Sequence, residues 1–91
     1  MQYPHTDTYA VETPQQLRTI LRSLRQASGL TQAQLGERLG VTQKRIARIE
    51  AAPEVTAYDQ IARMVTAMGC RLLIEKPAPQ HTVAEPGPDT W

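Results

Sequence analysis

The sequence predicts a small, mainly α-helical fold of four to five helices with one short β-strand near the C-terminus. Three observations predict it. Apolar residues recur at helical spacing between residues 14 and 68, threonine and glycine punctuate that stretch where helices would start and stop, and after Gly69 the pattern shifts to a short apolar run bounded by Pro77. A length of 91 residues allows one core and no second domain. The chain divides into an N-terminal arm, residues 1–12, a folded domain, 13–76, and a Pro-rich tail, 77–91, expected to be disordered.

The first helix is predicted from about 14 to 28, stopping at Gly29. Thr13-Pro14-Gln15-Gln16 supplies an N-cap, a proline at the first helical position and a capping-box glutamine. Its apolar stripe is Leu17, Ile20, Leu21 and Leu24, while Arg18, Arg22 and Arg25 form a basic stripe. That stripe serves either the backbone of a nucleic acid or plain solvation.

Residues 31–50 hold two short amphipathic helices separated by a Gly-Val-Thr turn. Thr31 caps the first, Leu35 and Leu39 form its apolar edge, and Gly40 can take the left-handed conformation that ends it. Thr42 caps the second. Ile46 and Ile49 point inward, so the outer face carries Lys44, Ala47 and Arg48, flanked by Gln43 and Arg45. Gln pairs with adenine edges, Arg and Lys with guanine or phosphate, and an alanine methyl with the thymine methyl. A charged face on a helical bundle is often only solvated; the preceding helix and tight turn favour a recognition helix in a helix-turn-helix.

The last helix is expected to be capped by Thr56, with Asp59 three residues on and Tyr58, Ile61, Met64, Val65 and Met68 as its core face, ending at Gly69. Residues 70–75, Cys-Arg-Leu-Leu-Ile-Glu, read as the strand. A lone strand leaves backbone groups unpaired, so it needs a partner: either Tyr9–Val11 of the same chain or, more economically, the same strand of a second subunit. On the second arrangement Cys70, Leu72, Leu73 and Ile74 form a homodimer interface, although the last helix could equally dominate it.

The formal net charge is only +1, yet it is unevenly distributed. Residues 14–52 hold seven basic residues against Glu37 and Glu50, a balance of +5 that leaves −4 for the remainder. Such a basic middle suits a DNA-facing surface. No apolar run is long enough to span a bilayer, and the Met-Gln-Tyr-Pro-His-Thr-Asp start is unlike a secretory signal, so a cytoplasmic location is expected. Cys70 is the only cysteine and is expected to be a packing thiol; His5 and His81 sit in opposite tails without companion ligands. Ser23 and Ser28 lack His and Asp partners at any triad-like spacing, and no Gly-rich phosphate loop occurs. Neither catalysis, cofactor, metal nor small-molecule ligand is therefore expected. Trp91, the sole tryptophan, lies at the end of the tail as either an incidental exposed aromatic or an anchor for a partner protein.

With its Thr31-Gln32-x-x-Leu35 opening and Gln43-x-x-Ile46-x-x-Ile49-Glu50 second helix, the chain resembles the Cro/repressor-type, or XRE, helix-turn-helix family across roughly residues 14–68. Two positions depart from that pattern: Gly36 stands where alanine is usual, and Ala47 where serine is common. Gly36 should cost about 1 kcal/mol of helix propensity while permitting a closer helix crossing. The resemblance implies a repressor-like domain bound as a dimer to palindromic double-stranded operator DNA. It implies base contact by Gln43, Lys44 and Arg48, with Ala47 and Thr42 as further candidates, a bracing or lateral reading role for Gln32, and phosphate binding by Arg38 and Arg45. The strand, tail and terminal tryptophan make the chain most similar to HipB-like antitoxins of type II toxin-antitoxin operons. Those proteins are dimeric autorepressors that hold a HipA-like Ser/Thr kinase toxin inactive. Two alternatives stay open: a stand-alone phage-type or restriction-modification controller repressor, and an interaction module that has lost DNA binding.

Overall fold

The computed structural model describes residues 7–78, and within them the protein is mainly α-helical. The order is α1, Pro14–Ala27; α2, Gln32–Leu39; α3, Gln43–Ala51; a 3-10 turn, Pro53–Val55; and α4, Tyr58–Ala67. Residues 1–6 and 79–91, with His5, His81, Trp91 and most of the Pro-rich tail, lie outside the described residues.

Local chemistry explains each helix start. Thr13 Oγ1 accepts from the Gln16 amide at 3.1 Å while Gln16 Oε1 accepts from the Thr13 amide at 3.0 Å, so the expected capping box satisfies two amides that α1 would leave unpaired. Thr31 and Gln34 repeat that arrangement at α2, with bonds of 3.0 and 2.9 Å. At α3, Thr42 Oγ1 accepts from the Arg45 amide at 3.0 Å. The fourth start differs from expectation. Ala57 is the N-cap of α4 and has no side-chain bond, whereas Thr56 Oγ1 donates to the Ala52 carbonyl at 3.1 Å and closes the 3-10 turn. Pro53, with its φ preset, opens that turn, and the helix begins only after it.

The core draws on all four helices: Leu21 from α1, Leu35 from α2, Ile46 and Ile49 from α3, and Ile61, Met64 and Val65 from α4, with Met68 just beyond. Leu17, Leu24, Leu30, Leu39, Val41, Ala67 and Cys70 pack around it half-buried. Tyr58, expected in the core, is instead 70% exposed, because α4 starts at this residue and its buried face begins at Ile61. At the far ends of α2 and α4 two arginines exchange caps: Arg38 Nη1 donates to the Ala67 carbonyl at 3.4 Å, and Arg63 Nη2 to the Leu39 carbonyl at 3.2 Å.

Gly36 is buried where α2 meets the α2–α3 turn. A Cβ there would lie 2.7 Å from the Val41 carbonyl oxygen and 3.1 Å from that of Thr42. Both obstacles are backbone, and Val41 is held in place by donating its amide to the Gly36 carbonyl at 2.8 Å. The absent side chain thus sets the closeness of the turn, which outweighs its poor helix propensity. Gly36→Val should lower the unfolding free energy by about 1–3 kcal/mol, as overpacking does. Denaturant titration checks this; a variant as stable as the parent would show that the turn has room.

The expected strand at 70–75 is corrected for the single chain. No strand occurs among the described residues, and 70–78 carry no regular structure. Tyr9–Val11 does not pair with it: Tyr9 and Val11 are 56% and 46% exposed. Without a partner no ladder forms, and the run is left in solvent, with Leu73 65% and Ile74 100% exposed. Cys70 packs half-buried against the core, its Sγ donating to the Met68 carbonyl at 3.6 Å.

Candidate nucleic-acid interface

The tight turn over Gly36 sets α3 against α2, and α3 has two distinct faces. Ile46, Ile49 and Glu50 are buried, whereas Thr42, Gln43, Lys44 and Arg48 are exposed and Ala47 is half-buried. The side chains of Lys44 and Arg48 have no hydrogen-bond or ion-pair partner among the described residues, so both cations are available to an external anion or base edge. No acidic side chain occupies the first turn of α3, where unpaired amides and the helix dipole already favour negative charge. Thr42 spends one acceptor site on its own helix, and its hydroxyl proton remains free to donate.

Gln43 is held from α2. Its Nε2 donates to Gln32 Oε1 at 2.8 Å, and Gln32 Nε2 in turn donates to Glu50 Oε1 at 3.1 Å. Gln32 therefore sits where a brace would, half-buried between the end and the beginning of α3. Glu50 is 2% exposed and forms an ion pair with Arg25 through Nε; Arg25 Nη2 also donates to Oε1 at 3.2 Å, and Nη1 to the Leu30 carbonyl at 3.0 Å. This buried pair did not emerge from the sequence. The available signal was that Glu50 follows Ile49 on the apolar side of α3, where a carboxylate needs a cation.

The pair also withdraws Arg25 from the basic stripe of α1. Arg22 stays exposed, while Arg18 is half-buried with its Nε enclosed and without a hydrogen-bond partner among the described residues. The two expected phosphate binders are placed differently from the exposed set. Arg45 is half-buried and donates through Nη2 to Gln60 Oε1 of α4, so it ties α3 to α4. Arg38, exposed, caps the end of α4. Both contacts compete with a phosphate for the same guanidinium, whereas Lys44 and Arg48 face no such competition. The residues expected at a dimer interface are the half-buried Cys70 and the exposed Leu72, Leu73 and Ile74.

Two shallow depressions, one lined by Leu30, Gln34, Glu37 and Arg38 and the other by Gln15, Gln16, Thr19 and Ile20, bring together no nucleophile with a base. Among the described residues no three His, Cys, Asp or Glu side chains form a group that could hold a metal ion, and no helix is long and apolar enough to cross a membrane.

Comparison with known proteins agrees with this geometry: the helix-turn-helix domain family matches residues 16–72, which is more than half of the chain and takes in all of α2, α3 and α4. No curated protein and no solved structure matches it.

Proposed function

Because the chain belongs to the helix-turn-helix domain family of DNA-binding regulators, we propose that it is a cytoplasmic transcriptional repressor that reads palindromic operator DNA as a homodimer. The observation that carries this reading is the free polar face of α3, where Gln43, Lys44 and Arg48 are exposed at and after the helix start while Ile46 and Ile49 anchor the other side. Inserted into the major groove, this face offers an amide for adenine and two cations for guanine or phosphate, with the methyl of Ala47 between them. Thr42 lies at the groove edge, Gln32 braces from α2, and Arg38 and Arg45 reach phosphates after releasing their intramolecular acceptors.

The dimer forms by pairing residues 70–75 of two copies. This supplies the ladder that one chain lacks and covers Leu72, Leu73 and Ile74, which otherwise stand exposed. Two α3 helices related by a twofold axis then meet half-sites about one helical turn apart.

In its finer form the reading is an antitoxin of a HipBA-like operon, which represses that operon and neutralises a HipA-like Ser/Thr kinase toxin, with Trp91 as an anchor for the toxin. The resemblance of the motif, the apolar run after α4 and the Pro-rich tail support it. A stand-alone controller repressor would use the same α3 chemistry, and only the partner separates the two. The test is a pull-down from the native host with the full chain beside a chain ending at Lys76. Promoter DNA retained by both, with a kinase-like protein retained by the full chain and weakened by truncation, is the expected result. DNA without any kinase-like protein would leave the controller repressor, and no DNA would sink both.

A further inference from the structure

Arg25, Glu50, Gln32 and Gln43 form an unbroken series of hydrogen bonds from the core to the exposed start of α3. We infer that Glu50, buried and out of reach of any bound DNA, is a positioning residue that decides which base Gln43 reads. The inference rests on the DNA-reading role of α3 proposed above.

The argument is one of donor and acceptor polarity. An ionised carboxylate only accepts, so the Gln32 amide must turn its Nε2 towards Glu50 and is left with Oε1 for Gln43. Gln43 must then present Nε2 to Gln32, at 2.8 Å. One N–H and the Oε1 of Gln43 remain for a base, and that donor–acceptor pair matches N7 and N6 of adenine. Turned the other way, Gln43 would meet Gln32 with its oxygen and keep two N–H donors, the complement of guanine O6 and N7. Arg25 holds the direction: its bonds to both Glu50 oxygens keep the carboxylate in place within the core.

Glu50→Gln keeps the shape and reverses the polarity. With its amide oxygen accepting from Arg25 Nε, its NH2 stands in place of Oε1, gives up the bond from Arg25 Nη2 and faces Gln32, so the two glutamines turn over in sequence. The experiment selects binding sites from a random duplex pool with the full-length parent, Gln43→Ala and Glu50→Gln. The parent should prefer adenine at one position of each half-site, and Gln43→Ala identifies that position by losing the preference. Glu50→Gln should cut the adenine-over-guanine preference there by on the order of tenfold, leaving the other positions unchanged. A residue that merely supported the fold would weaken binding to all sequences alike.

Should Glu50→Gln fail to fold, as judged by circular dichroism, Gln32→Met interrupts the same series outside the ion pair and should relax the same position. A folded Glu50→Gln or Gln32→Met variant with the parental preference would overturn the inference while leaving DNA reading intact. A parent that enriches no sequence would overturn both.

Discussion

Arg25→Ala should lower the unfolding free energy by about 3–5 kcal/mol, the usual result of removing one partner from a buried ion pair. The side chains of Arg25 and Glu50 are 11% and 2% exposed, so water cannot replace the guanidinium, and the Leu30 carbonyl loses a donor at the same time. Gln32 remains as a neutral donor to Glu50 and offsets only part of that loss. In a domain of this size the thermal midpoint should fall by roughly 12–40 °C. Calorimetry decides, with the apolar replacement Arg25→Met and Glu50→Leu together as the control: it should recover most of the loss, since no charge is then left unpaired. A single Arg25→Ala variant that melts with the parent would mean that the pair contributes nothing to stability.

The second large effect is on binding. Lys44→Ala and Arg48→Ala together should weaken operator binding by at least about thirtyfold, taking the lower end of roughly 1–3 kcal/mol for each contact. The slope of affinity against salt should shrink by one or two counterions. Both side chains are exposed and partnerless among the described residues, so stability should stay within about 0.5 kcal/mol of the parent. Titration of a fluorescent operator duplex, with circular dichroism alongside, reads both quantities. A folded double variant that binds as well as the parent would remove α3 from the interface and revive the view of the motif as a scaffold alone.

Much of this architecture is legible along the chain because the signals act over three or four residues. Thr13 with Gln16, Thr31 and Thr42 each cap the helix that follows them, and left-handed Gly40 and Gly69 stand where α2 and α4 end. The same local logic fails at Thr56, which could serve either the helix ahead or the turn behind; Pro53 tips it to the turn. Tyr58 fits the apolar period of α4 but lies at its first residue, where a period has no preceding turn to pack with.

The candidate interface shows the same division. Exposure of Gln43, Lys44 and Arg48 follows from helical spacing, and the structure agrees with it. The partners of Arg25, Arg38 and Arg45 do not follow, because Glu50, Ala67 and Gln60 lie far along the chain or on another helix. A long flexible cation within a basic stripe looks the same in sequence whether it faces solvent or folds inward. Residues 70–75 pose a related problem: a short apolar run reads as a strand whether or not a partner is there to pair with it, and in this chain it carries no regular structure.

The two faces of α3 carry different obligations. Ile46, Ile49 and Glu50 answer to the core and to Arg25, whereas the side chains of Lys44 and Arg48 have no partner among the described residues. If α3 reads DNA as proposed, substitutions at these two positions should retarget the protein to a new operator while its folding equilibrium stays put. Gln43 is less free, because a replacement there strands Gln32. On the proposed reading, drift in target sequence should thus be easy at base pairs facing Lys44 and Arg48, and slow at one facing Gln43.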